Sequence, residues 1–473
     1  MAVPRLHTRG KAGVSRRGFV GLVGAGAATA GIGAAGVSPA AAATGSGPTS
    51  GTLPPPNSSA YWDAVRRLFT IDKDLLFMNV GTVGSPPREV LDAIDKKYRE
   101  VSAGALSAYS NFLDERKAAG RAFGCDADEV VISHNTSDGM SKIVAGLGLK
   151  AGDEILTTNH EHGGGIVPMS MARDRHGIVI KKVELPVGNR QRAEDYVELF
   201  RAAITKRTKV LLFSAPTYKT GTMLPIAMLA KLAQDHGLTS VVDGAHIPGM
   251  MNYNFHELGV DFLAGSAAKW QCGPGGTGIL YIRNKVINRY NPNPLPEFWP
   301  VVSSAYPAEG GVPPRATGPK ESYDIAAQLQ SVGNGSFAAM AGVSKVFEVW
   351  DRIGRDRIQE HVLDLSAYLK DLIVERWGVN SLYSPKDDPR LVCGLTSFAP
   401  FSNPADVYDG AKATAYVARL KDEHGLVIRT SDFPVIGSSR NHQVVRVSTH
   451  LFHQRKDVDR AVDAMWKVSR AMA

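Results

Sequence analysis

The chain has 473 residues, 44% of them hydrophobic and 21% charged, with a formal net charge of +8. This excludes a disordered or fibrous chain, and the length leaves room for two globular domains. The excess charge is local, because Arg5, Arg9, Lys11, Arg16 and Arg17 precede residue 20 with no acid among them; the body carries no basic block with interleaved aromatics, so no nucleic-acid partner is expected.

The first segment reads as an address. Arg16 and Arg17 precede Gly18-Phe19-Val20, a Gly/Ala-rich apolar run to Val37, and a stretch of small residues at 40–43. That order is the one of a bacterial signal peptide, and the arginine pair resembles the twin-arginine export signal. Residues 1–43 are therefore expected to be a signal read by the twin-arginine translocation machinery, with the mature chain exported to the periplasm or beyond the cell. The run is too weakly apolar for a permanent span. Residues 44–60, rich in Gly, Ser, Thr and Pro, read as a flexible linker.

From about residue 120 short apolar runs alternate with helical patterns. Strands are expected at 130–133, 154–157, 178–185, 209–214, 240–243, 261–264 and 278–282. Helices are expected at 138–149, 166–176, 194–204 and 225–236, and Gly177 and Gly237 end two of them. Such alternation predicts an α/β fold, a mostly parallel sheet wrapped by helices. After about residue 316 longer helices with fewer strands predict a smaller α/β domain, giving 61–315 as the large domain and 316–473 as the small one. Cys125, Cys272 and Cys393 are far apart and odd in number, which fits neither a disulfide framework nor a metal site.

Ligands of parallel sheets bind at the carboxyl ends of the strands. Polar groups gather there: Thr136-Ser137, Glu161-His162, Asp243-Gly244-Ala245-His246, and Ser266 with Lys269. Singly, each has a plain reading as a helix cap, a surface histidine or a solvated lysine. Together they match what pyridoxal phosphate (PLP) requires: an amine, a carboxylate for the pyridine nitrogen, a flat group to stack on the ring, and hydroxyls at a helix start for the phosphate.

Val242-Asp243-Gly244-Ala245-His246, followed by Lys269-Trp270 and then Gly273-Pro274-Gly275-Gly276-Thr277-Gly278, resembles the class V aminotransferases, a fold-type I PLP family that includes cysteine desulfurases and isopenicillin N epimerase. Asn135-Thr136-Ser137-Asp138, Glu161-His162 with Ile166-Val167-Pro168, Thr220-Gly221, Arg429-Thr430 and Arg446-Val447-Ser448 extend the likeness from about Phe77 to Met465. The resemblance implies that Lys269 carries the cofactor covalently, Asp243 pairs with the ring nitrogen and His162 stacks on the ring. It also implies that Thr136, Ser137 and Ser266 hold the phosphate, that His246 lies near the ring oxygen or phosphate, and that Arg446, with Arg429 behind it, grips a substrate carboxylate. A homodimer with active sites at the interface is implied as well.

The chain departs from the family in places. Ala268 stands where many relatives have histidine, Gly275 where threonine is common, and Tyr218 where asparagine is common; the Tyr218 phenol can still donate to the ring oxygen. The desulfurase cysteine has no counterpart, since Ser431-Asp432-Phe433-Pro434 follows Arg429-Thr430. The expected function is amino-group transfer or epimerisation at Cα of an amino acid. A C–S or other β-lyase is the second reading, and a binding protein that kept the fold without the chemistry is the third.

Overall fold

A computed structural model describes residues 53–305 and 324–473. The expected export signal, residues 44–52 of the linker and the expected domain junction at 315/316 lie outside the described residues. Those described belong to one compact unit, Ser50–Ala473.

The strands in chain order are β1 Leu76–Phe77, β2 Val130–Ser133, β3 Glu154–Thr158, β4 Val179–Val183, β5 Thr208–Ser214, β6 Thr239–Gly244, β7 Phe262–Ser266, β8 Gly278–Ile282, β9 Leu395–Phe398, β10 Leu426–Val427, β11 Arg429–Phe433 and β12 His442–Ser448. All the expected strands of the first half are present, with bounds shifted by a residue or two. β2 to β8 form one sheet in the order β2-β8-β7-β6-β5-β3-β4. β3 to β7 are mutually parallel, and only β8 runs against its neighbours.

Side chains alternate across each strand, so the sheet feeds two cores. Leu211, Phe213, Val242 and Leu263 face a layer containing Leu229, Ala233 and Phe347. Val210, Leu212, Val241 and Phe262 face the other way, onto Met140, Ile143 and Met169. Burial on both faces is why these strands read as unbroken apolar runs. At the edge, β4 is largely uncovered, and its Lys182 is exposed.

Two helices open at the strand ends that matter. The helix Thr136–Gly146 starts two residues earlier than its apolar periodicity suggests, because the Asn135 side chain accepts the Asp138 N–H and caps it. Gly163–His176 likewise starts before its first apolar residue, capped by His162 and closed by Gly177 in the left-handed region. The second sheet is antiparallel, β11-β12-β9. Its core, including Val445 and Val447, packs on Leu365, Leu369, Tyr416, Val458 and Met465 from the helices Arg355–Trp377, Gly410–His424 and Arg455–Ala471. β1 pairs in parallel with β10, so the chain ahead of the large sheet is anchored on this later layer.

Candidate active site

The carboxyl ends of β2, β3, β5, β6 and β7 open into a cleft of about 240 Å³. Thr136, Ser137, His162, Tyr218, Asp243, His246, Ser266, Lys269, Arg429 and Arg446 all line it. The structure thus brings together every site residue expected from the sequence. Asn135, Gly164, Ala245, Gly81 and Thr82 complete the wall.

At one end lie hydroxyls and amides. The first intrahelical bond of Thr136–Gly146 runs from Gly139 N–H to Asn135 O. The N–H groups of Thr136 and Ser137 therefore stand ahead of the helix ladder, at its positive end. The Thr136 hydroxyl is buried without a partner, and Ser266 is buried at the end of β7. A Cβ on Gly164 would lie 2.5 Å from Ser137 Oγ, so a larger residue there would push the Ser137 hydroxyl out of this corner.

His246 is buried next to them. Trp270 Nε1–H donates to His246 Nδ1 at 3.0 Å. The histidine proton must then sit on Nε2, which is buried, has no partner and faces the cleft as a donor. Burial, with the charge of Lys269, holds this ring neutral, well below the ordinary histidine range.

The chemistry-bearing pair is Asp243 and Lys269. Burial pushes the Asp243 carboxyl up, while Lys269 and the Ala245 N–H, 3.2 Å from Oδ1, pull it back down. Burial lowers Lys269 to about 8, with Asp243 opposing and Arg446 and Arg429 adding to the drop. A lysine so placed supplies a neutral amine near physiological pH. His162 is exposed at the mouth, with Nδ1 accepting the Gly164 N–H at 3.0 Å and its edge against the Tyr218 ring, centroids 4.9 Å apart. Partial desolvation where the ring turns into the cleft, then the charge of Lys269, brings it to about 4.

Opposite, Arg446 on β12 is buried. Its Nη1 donates to Tyr218 O at 2.8 Å and its Nη2 to Thr82 Oγ1 at 3.3 Å, while Nε has no acceptor. Arg429 faces it across the β11–β12 ladder. The segment around Gly81 crosses above them: Gly81 N–H donates to Ser448 Oγ, and Gly84 N–H to Ala268 O.

Sequence reading assigned no role to Glu161, although it is fully buried. Its carboxyl accepts from Thr158 Oγ1, Ser214 N–H and Ser214 Oγ at 2.6, 3.1 and 2.5 Å. Burial pushes it up to about 7, and Asp243 pushes in the same direction. Its place directly before His162 was the available signal.

None of the three cysteines lines the cleft. Cys272 and Cys393 are buried, and burial pushes all three thiols up. Ser431 is buried and donates its hydroxyl to Lys219 O.

Residues 77–461 match the family described as aminotransferase class-V. The chain belongs to that family. Among curated family relatives, isopenicillin N epimerase of Streptomyces clavuligerus is 26% identical over 429 residues, covering 86% of this chain and 98% of the relative. A probable cysteine desulfurase of Pyrococcus abyssi is 24% identical over 415 residues, covering 84% and 94%. The fold is that of a solved C-DES variant with glycine covalently linked to its PLP cofactor, at TM-score 0.68 and 22% identity, covering 85% of this chain and 98% of that one. The apo cysteine desulfurase of Thermococcus onnurineus superposes with TM-score 0.67 at 20% identity, covering 86% and 98%. The class V fold expected from the sequence is therefore the fold found.

Proposed function

We propose that this chain is a PLP-dependent enzyme acting at the α-carbon of an amino acid, as an aminotransferase or an epimerase. The observation that carries this is the convergence of a buried Asp243, a Lys269 amine lowered to about 8 and a buried Arg446 whose Nε–H has no acceptor on one cleft. The residues fit the cofactor: Thr136 and His246 offer buried donors without partners in the cleft, which a phosphate and a ring oxygen would satisfy. When bound, PLP supplies an electron sink for the pair left at Cα when a bond there breaks.

The chain's own groups divide the remaining work. Lys269 takes and returns the proton at Cα. Asp243 holds the proton on the pyridine nitrogen. His162 offers an open ring face for stacking, and Thr136, Ser137 and Ser266 hold the phosphate. His246 Nε2–H and the Tyr218 phenol donate to the ring side. The Arg446 fork fixes the substrate carboxylate and with it the direction of the Cα–H bond. The thiol-free cleft speaks against sulfur transfer through a protein cysteine, and a lyase that needs no such thiol shares the same groups. We further propose that the mature protein is exported by the twin-arginine route and works as a homodimer.

The purified protein should be yellow, and borohydride should fix the cofactor to the peptide containing Lys269. Label on any other lysine refutes the assignment, and a colourless protein that cannot be loaded favours the binding-protein reading. Product analysis with and without a keto-acid acceptor separates transfer, epimerisation and lyase chemistry.

A further inference from the structure

The cleft mouth holds more positive charge than one α-carboxylate uses. Arg429 and Arg446 are paired directly across the antiparallel β11–β12 ladder, so their side chains leave the same face of the sheet. Both reach the Thr82 hydroxyl, with Arg446 Nη2 at 3.3 Å and Arg429 Nη1 at 3.5 Å. They differ in depth, since Arg446 is buried while Arg429 is half-buried and nearer the opening.

Lys219 adds a third cation. Its ammonium lies 5.0 Å from the centroid of the Tyr218 ring, which lines the cleft, and donates to Asp432 O. Its backbone carbonyl is pinned by the hydroxyls of Ser397 at 2.7 Å and Ser431 at 3.1 Å, so its position is set by the second sheet.

Among the described residues, none of Arg429, Arg446 and Lys219 makes an ion pair. The one carboxylate lining the cleft, among the described residues, is Asp243, at the end of β6. The four charged neighbours that bear most on His162 are all cations: Lys269, Arg429, Arg446 and Lys219. Like charges gathered on one wall repel, and an incoming anion relieves that repulsion. Arg446, with its free Nε–H, suffices for the α-carboxylate. Arg429 remains on the cleft wall, and Lys219 stands over the Tyr218 ring, near enough for its charge to bear on His162.

We infer that the substrate carries a second carboxylate, distal to its α-carbon, which Arg429 and Lys219 hold at the mouth of the cleft. This rests on the reading of the site as one for amino acids and adds its substrate class, an acidic amino acid. A guanidinium fork beside an ammonium fits such a group in both geometry and charge.

The test compares isosteres on the holoenzyme. Glutamate against glutamine, and aspartate against asparagine, are titrated while the cofactor absorbance is followed. The acidic member of at least one pair is expected to bind about 10-fold or more tightly than its amide. In Arg429→Gln and in Lys219→Gln that ratio should fall toward one. A wild-type ratio of one in both pairs overturns the inference, as does a preference that survives both substitutions. If Arg429→Gln weakens acid and amide equally, Arg429 serves the α-carboxylate and the inference fails. If the ratio falls only together with a change of oligomeric state, the cations face a partner subunit and the inference fails again. Holoenzyme in which no amino acid alters the spectrum removes the parent reading instead.

Discussion

Arg446 keeps a guanidinium in the protein interior with no carboxylate beside it, and burial and Arg429 both lower its affinity for its proton. A group held so is costly unless an anion joins it. Losing one partner of such a buried charged contact costs about 2 kcal/mol or more. Arg446→Ala is therefore expected to raise KM by about 30-fold or more and to lower kcat as well, because a loose carboxylate misaligns Cα. Arg446→Lys should restore only part of this, and cofactor content should stay normal in both; steady-state kinetics and absorbance check the two halves. Lys269 gives a pH prediction. Only the neutral amine attaches the cofactor, so covalent uptake by the apo-protein should rise with pH and level off above about 8. Removing a neighbouring cation through Arg446→Gln should move that midpoint upward, as stopped-flow absorbance would show. At this scale the sequence was legible wherever a side chain sits at a strand end with an apolar run before it, which is how Asp243, Lys269 and His162 came to be chosen. Thr82 and Gly81 were not legible, because they reach the cleft through a fold-back of the chain that no local pattern encodes.

Strand ends and helix starts carry the site as units. The helix Gly163–His176 opens with Gly163-Gly164-Gly165, poor helix formers that its apolar pattern hides. The structure supplies a reason at Gly164, where a side chain would strike Ser137. Gly164→Ala is accordingly expected to displace Ser137 and weaken PLP binding by about 10-fold or more, read by equilibrium titration, with little change in melting temperature. Glu161, at the end of β3, predicts a stability trend. Its folded pKa is raised from 4.5 to about 7. Its contribution is therefore fully present below about 4.5 and is lost as pH rises through about 7, a span worth up to about 3 kcal/mol. Glu161→Gln removes that titration and should flatten the decline, as denaturant unfolding between pH 5 and 8 would reveal. An equal slope in both proteins would show that Glu161 does not titrate in this range. The large sheet was readable because its inner strands are apolar on both faces. Strand order was not, since β8 follows β7 directly but also pairs with β2, far back in the sequence.

On the scale of the whole molecule, the proposed export predicts a compartment. Replacing Arg16 and Arg17 with lysine should leave an uncleaved precursor inside the cell, judged by fractionation and N-terminal sequencing; unimpaired export would refute the proposal. The β1–β10 pairing has a temporal consequence. Leu76 leaves the ribosome long before Leu426, so β1 waits unpaired while β2 to β8 can already assemble. Closing a loop of that size costs only slowly more entropy as it lengthens. What is delayed is the cover: the segment with Gly81 and Thr82 gains its anchor on Ser448 only when β12 exists. A nascent chain that ends before Leu395 thus already owns Lys269, Asp243 and the phosphate corner, open to solvent, but neither guanidinium. Under the proposed function, the order of synthesis separates the capture of cofactor from the grip on substrate, and a half-made enzyme can be loaded before it can turn over.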